Sequence, residues 1–146
     1  MERCEICGKK ADRHHIVHRS EGGLDFDLNI KYLCDEHHRG INGPHRNCRI
    51  DIMYKLELQD NLNRILIKDY YGIAELSGLI GINKRLLRRI LSQYKIYKEG
   101  YKKSDIIYRL MGRKIYDINM LRDFYSIISP KQFIEIASLF EKAGSF

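Results

Sequence analysis

Apolar positions divide the chain into two unlike stretches. Over residues 1–48 they come in short strand-like runs separated by turn-forming Gly8, Gly22–Gly23, Gly40 and Gly43–Pro44. After Arg49 the spacing becomes helical. In "RIDIMYKLELQDNLNRILIKD", Ile50, Met53, Leu56, Leu62, Ile65 and Leu66 recur about every 3.6 residues, which predicts a connecting helix over 50–70, broken near Gln59–Asn61. "YGIAELSGLIGINKRLLRRILSQY" (71–94) reads as two short helices across a tight turn at Gly81. Ile73, Leu76 and Leu79/Ile80 face inward on the first. Asn83 caps the second, whose apolar side is Leu86/Leu87, Ile90 and Leu91. Ser104 predicts an N-cap for "DIIYRLM", with Gly112 ending that helix, and "YDINMLRDFYSII" is a further amphipathic segment. In "SPKQFIEIASLFEKAG", Ser129 is the expected N-cap, Pro130 sits in the first turn and Gly144 lies past the end. Its Phe133, Ile136, Ala137 and Phe140 side reads as packing core. The pattern predicts an α+β chain: a small module over 1–49, the connecting helix, and an all-α part over 71–146.

Composition narrows the class. The 146 residues suffice for one ordinary domain or two small ones, and 44% hydrophobic with 31% charged content is that of a soluble globular protein. No stretch approaches the roughly 20 apolar residues that a membrane span needs. The start, MERCEIC, is charged and thiol-bearing rather than a signal-peptide core, so a reducing cytoplasm is the expected location. Four cysteines in that setting argue for metal or free thiol rather than disulfides.

Charge is unevenly placed. The net charge is +7, while residues 1–50 are close to neutral. From Gly81 to Tyr116, eleven Lys/Arg face only Glu99 and Asp105, a basic block of the kind that binds polyanions. The bland alternative is a solvated lysine-rich face. The block includes Lys84, Arg85, Arg88, Arg89 and Gln93, opposite the apolar side of the second helix of 71–94. That pair resembles a helix-turn-helix, whose second helix enters the major groove of duplex DNA. The resemblance makes Arg88 and Arg89 groove or backbone contacts, and Lys95, Lys98, Lys102 and Lys103 phosphate contacts.

The concentrated chemistry lies elsewhere. All six histidines fall within the first 45 residues, together with three of the four thiols. Cys4-x2-Cys7 forms a short knuckle, and after a gap of 26 residues Cys34-x2-His37 offers a second bite of equal spacing. Two such bites complete the tetrahedral Cys₃His shell of a structural Zn²⁺, which would stabilise a module too small to do so by burial alone. Cys48 lies outside the paired spacing, either free or replacing His37. His14, His15, His18, His38 and His45 are then left without a structural task, and surplus imidazoles suggest catalysis.

The elements "CEIC", "HHIVHRSEGG", "DLNIKYLC", "EHH" and "GPH", in this order over roughly residues 4–45, resemble an HNH nuclease. That resemblance implies a ββα-metal fold: two strands carrying the double histidine and a central Asn, then a helix with further metal ligands. The chain departs from the usual pattern in its Cys-x2-His second pair and in a final His that follows Gly-Pro. Carried over, the resemblance makes His14 a ligand of the catalytic divalent ion and His15 the general base that deprotonates water. Asn29 would pin the loop holding His15, and His38 would be a second ligand. His45 is the first choice for the third, with Asn42 the alternative. Adjacent strand residues point to opposite faces, so a bulged or twisted strand end is needed for His14 and His15 to reach one phosphate. Arg19 would touch a phosphate or form a surface salt bridge, and His18 would stand behind the ligands or be exposed.

The implied reaction is hydrolysis of a DNA phosphodiester. An imidazole, with an ordinary pKa of about 6.5, suits proton abstraction near neutral pH, and one Mg²⁺, Mn²⁺ or other divalent ion would act as Lewis acid. Imidazole ligands tilt the choice toward a transition metal. A nuclease module before a helix-turn-helix also resembles phage-encoded homing endonucleases, active in a bacterial or phage-infected cytoplasm. Two rival functions remain: a non-catalytic, zinc-stabilised DNA-binding regulator of phage origin, and an enzyme acting on RNA or damaged structures. The target site, the number of strands cut and the oligomeric state are not encoded legibly.

Overall fold

The computed structural model describes residues 1–121 together with Ile134 and Ser138, so the expected segment over 129–144 lies outside the described residues. Strands β1 (Asp12–His15) and β2 (Ile30–Leu33) pair antiparallel, His14 opposite Lys31 and His15 opposite Ile30. "DRHH" has little strand propensity of its own; it is extended because "IKYL", β-branched and aromatic, offers a ladder to pair with. The period-two pleat then buries His14 while leaving Arg13 exposed and His15 only partly covered. Helix α1 (Asp35–Arg39) follows β2 and packs on the hairpin. Asn29, fully buried, fixes the loop between the strands: its Oδ1 accepts from Val17 N–H at 2.8 Å, and its Nδ2 donates to Val17 O at 3.1 Å and Leu24 O at 2.8 Å.

Helix α2 (Cys48–Ile65) is capped by Asn47, whose side chain accepts from the Ile50 N–H. It is continuous, which corrects the expected break near Gln59–Asn61. The polar residues there are satisfied in place: Gln59 donates from Nε2 to Tyr116 O and accepts from Tyr116 N, both at 2.8 Å, and Asn63 Nδ2 donates to Gln59 O. Leu56, Leu58, Leu62 and Leu66 face the core. Lys55 is buried as well, its ammonium held by Glu21 and Asp51.

The second part is not all-α, contrary to expectation. Strand β3 (Tyr70–Tyr71) precedes helices α3 (Ile73–Ile80) and α4 (Lys84–Leu91). A hairpin of β4 (Ile96–Tyr97) and β5 (Gly100–Lys102) follows, and β5 lies between β3 and β4 in a three-stranded sheet. The strands are two or three residues long and lack the alternating run that would announce them. Between α3 and α4, Gly81 adopts a left-handed φ of 73°, a conformation costly for residues with a Cβ, and Asn83 accepts from Leu86 N–H at 2.8 Å as the N-cap. Leu79 is exposed rather than inward; Leu76 and Ile80 take the core positions. Helix α5 (Lys103–Leu110) starts one residue before Ser104, which therefore lies in its first turn and does not cap it.

One hydrophobic cluster runs through both stretches. It joins Ile16, Val17 and Phe26 of the loop after β1 to Leu58 and Leu62 of α2 and to Leu76, Leu87, Ile106 and Leu110 of α3, α4 and α5. Arg109 of α5, buried, donates to Gly22 O at 2.9 Å and secures the same junction.

Candidate metal centres and basic surface

The first centre is the cysteine clip. Gly8 N–H donates to Cys4 O at 2.8 Å and Cys4 N–H to Lys9 O at 2.7 Å, closing a knuckle that brings Cys4 and Cys7 to the start of α1. Cys7 Sγ lies 3.6 Å from Cys34 Sγ, and His37 Nδ1 lies 3.3 Å from Cys34 Sγ and 3.7 Å from Cys4 Sγ. A tetrahedron with Zn–S of about 2.3 Å and Zn–N of about 2.05 Å has edges of about 3.5–3.8 Å. The four donors fit that shell, so this Cys₃His group could hold a metal ion and is compatible with structural zinc. Burial opposes the Cys4 thiolate, but backbone groups of Cys34, Cys7 and Ile6 outweigh it and bring the thiol down to about 6, toward the ligand form. Cys48 stands outside the clip, exposed at the start of α2.

The second centre is made of imidazoles. His14 from β1, His38 from α1 and His45 from the following turn offer nitrogens within 4.8 Å of one another. His38 Nε2 and His45 Nε2 are 3.0 Å apart, and the His14 ring stands 4.9 Å from His38 and 5.2 Å from His45. His45 arrives because the chain folds tightly back on α1. Gly43 packs so closely that a Cβ there would lie 2.4 Å from His38 O, so only glycine fits without displacement. Asn42 lines a different cavity, beside His37 and Tyr54. Burial, followed by the charge of neighbouring His38, pushes His14 down to about 3; burial also lowers His38 and His45. These shifts favour the neutral rings, the form in which imidazole ligates a metal. His14 Nε2 is buried without a hydrogen-bond partner, which is costly in a protein interior unless a ligand completes it. The donor set thus fits a divalent ion.

His15 takes the other side of β1. Its Nε2 lies 3.2 Å from Asp25 Oδ1, which Arg13 also contacts at 2.8 Å. The His15 hydrogen bond and then the Arg13 charge hold Asp25 below the usual carboxylate range, so Asp25 is the acceptor. His15 Nε2–H consequently donates, and in the neutral ring the lone pair lies on Nδ1. Despite their opposite directions, His14 and His15 line one open cavity of ≈ 190 Å³ with His18, His38, His45, Arg13 and Arg19.

The basic residues sit apart from this cavity. Lys84, Arg85, Arg88, Arg89 and Gln93 are all exposed along or just after α4, and the four cations make no ion pair among the described residues. Lys95 lies over the Tyr97 ring at 4.6 Å, and Lys98 and Lys102 are exposed on the hairpin. Lys103 is turned back, donating to Asn63 O at 3.1 Å. Among the described residues, no helix is long and apolar enough to cross a membrane.

His18, expected behind the ligands or exposed, stands beside the cluster, its ring 5.2 Å from that of His45. Asp51, Glu21 and Lys55, an ionic network behind it in which only Lys55 is buried, were missed in the sequence. Asp25 and Arg13 were also missed. No short-range signal links His18 to Asp51, whereas Asp51–Lys55 is an i,i+4 pair that could have been read directly. No protein-family model, curated protein or solved structure matches the chain.

Proposed function

We propose that the protein is a metal-dependent DNA endonuclease of the HNH type, with a zinc-clipped ββα frame for catalysis and the α3–α4 pair as a helix-turn-helix on duplex DNA. The observation that carries this reading is a single open cavity bearing three ligand imidazoles, a separate imidazole with its own carboxylate, and two arginines at the wall. Phosphodiester hydrolysis needs those parts together: a base for water, positive charge for the phosphate, and a seat for the cation. When bound by His14, His38 and His45, a divalent ion such as Mg²⁺ or Mn²⁺ would supply Lewis-acid stabilisation.

The chain's own residues divide the remaining work. His15 accepts the proton of the attacking water at Nδ1, and Asp25 fixes the tautomer that leaves Nδ1 available. Asn29 positions His15 from behind, through its three hydrogen bonds to the loop at Val17 and Leu24. Arg13 and Arg19 meet phosphate oxygens at the cavity wall. Arg88, Arg89 and their neighbours on α4 hold the duplex, with hairpin lysines on adjacent phosphates.

The test is conversion of supercoiled plasmid by wild type and His15→Ala in Mg²⁺ and in Mn²⁺. Nicking or linearisation by wild type alone is expected. Equal cleavage by both proteins removes His15 as base, and tight duplex binding without cleavage in any divalent ion favours the non-catalytic regulator.

A further inference from the structure

The turn that ends α5 lies against the loop that walls the histidine cavity. A Cβ on Gly112 would lie 2.3 Å from Glu21 O and 2.8 Å from Val17 Cγ1, so the turn docks there with no room for a side chain. Arg113 follows with a φ of 64°, and among the described residues it is the one residue other than glycine with a positive φ. An arginine in that left-handed conformation carries a steric cost that Gly or Asn would largely avoid. Strain of this kind points to a task for the side chain itself.

The guanidinium of Arg113 is not alone. Its Nη1 and that of Arg109 both reach Gly22, where a Cβ would lie 3.2 Å from the first and 3.8 Å from the second. Arg109 is 7% exposed; its Nη1 donates to Gly22 O at 2.9 Å, and its Nε is sealed from solvent without a hydrogen-bond partner. Burial, and then the charge of Arg113, work against the Arg109 cation. Glu21 turns its carboxylate elsewhere, Oε1 to Lys55 Nζ at 2.9 Å and Oε2 to the His18 N–H at 3.0 Å. Among the described residues, neither arginine forms an ion pair. Two neighbouring cations, one of them buried, are costly without a counter-ion, and an anion supplied from outside relieves that cost.

The position of the pair says which anion. Gly22 N–H donates to Arg19 O at 3.1 Å, and Arg19 lines the histidine cavity. On the other side, α5 packs on α4. The two arginines therefore sit at the seam between the cavity and the basic helix. Resting on the reading that α4 holds duplex DNA, we propose that Arg113, backed by Arg109, grips a backbone phosphate of that duplex between the part held by α4 and the part entering the cavity. The forked donors of a guanidinium suit phosphate oxygens. Such a contact carries no sequence information; it fixes the register of the strand.

Arg113→Gly removes the guanidinium and the backbone strain together, which separates binding from folding. The variant is expected to melt no lower than wild type. It should nevertheless bind a random-sequence duplex about tenfold more weakly at low salt, with a salt slope reduced by about one unit. In the proton–nitrogen correlation spectrum of wild type, the Nε–H signal that the glycine variant lacks should shift on adding duplex and stay in place on adding inorganic phosphate at equal ionic strength. Wild-type affinity and slope in Arg113→Gly overturn the proposal, and if the Arg88→Ala/Arg89→Ala variant loses binding in the same assay, the duplex reading stands without it. A melt far below that of wild type marks Arg113 as structural and overturns it too. An equal shift with inorganic phosphate assigns the pair to free anions and overturns the duplex contact. Absence of duplex binding by wild type removes the reading on α4 and this proposal together.

Discussion

His14 and His15 are consecutive in β1, yet the His14 ring stands 4.9 Å from that of His38 while His15 Nε2 lies 3.2 Å from Asp25 Oδ1. The pleat gives two identical side chains separate tasks, one buried among nitrogens and one held by a carboxylate at the cavity edge. On the proposed reading, substitution separates the tasks. His14→Ala should lose divalent-ion uptake at the histidine centre together with cleavage. His15→Ala should keep the ion and lose about 10²–10⁴-fold in cleavage rate. Metal content and single-turnover rates measured on both variants check this, and loss of the ion from His15→Ala would contradict it.

The cysteine clip should behave as a structural element. It ties the first ten residues to the start of α1, where Leu33 and Cys34 form a small cluster separate from the main core. Removing zinc with a strong chelator, or replacing Cys34 with Ser, should cost on the order of 3 kcal/mol and lower Tm by about 10 °C. Thermal melts with and without added Zn²⁺ measure it. A chelated protein that melts like the zinc-loaded one would show that the clip contributes nothing to folding.

Tyr54 sets an alkaline limit. It packs against the clip's cluster with Lys31 over its ring at 4.6 Å. Burial, and then the nearby Glu57 charge, push its phenol from 10.0 up to about 12. Below pH 10 the proton is bound in folded and unfolded chains alike. Between pH 10 and 12 the unfolded chain releases it first, so stability falls as pH rises through that window. Tm of wild type should therefore drop more steeply there than Tm of Tyr54→Phe, and parallel curves would contradict the assignment.

For α4, Arg88→Ala and Arg89→Ala are expected to weaken duplex binding. Where a residue contacts only phosphate, the salt slope should fall by about one unit and binding should weaken alike on all sequences. Where it contacts a base, the loss should be about 1–3 kcal/mol on the preferred sequence alone. Asn83→Ala should cost about 1 kcal/mol through the lost cap without changing the salt slope. Binding isotherms at several salt concentrations separate these outcomes. Wild-type affinity in the double arginine variant would remove α4 from the interface.

What could be read in advance was local. The spacing of Cys4, Cys7, Cys34 and His37, the turn at Gly81 and the cap at Asn83 each depend on a few consecutive residues and a fixed backbone geometry. Features set by distant partners were illegible. Lys55 looks like an ordinary exposed helix residue until Glu21, 34 positions earlier, closes on it. Gln59 looks like a break until Tyr116 supplies both a donor and an acceptor. The hairpin at 96–102 escaped because β4 and β5 are extended by pairing with each other, and β5 with β3, rather than by their own composition. His18 reads in the sequence only as accessory or exposed because its partner in space, Asp51, lies on another element.

The core that fuses Ile16, Val17 and Phe26 to α3, α4 and α5 has a geometric corollary. With the histidine loop and the arginine-bearing helix set in one block, the protein acts on the proposed reading as a pair of calipers rather than two tools on a leash. Scissions would fall at one constant offset from wherever α4 seats, and the offset could be changed only by remodelling the block itself.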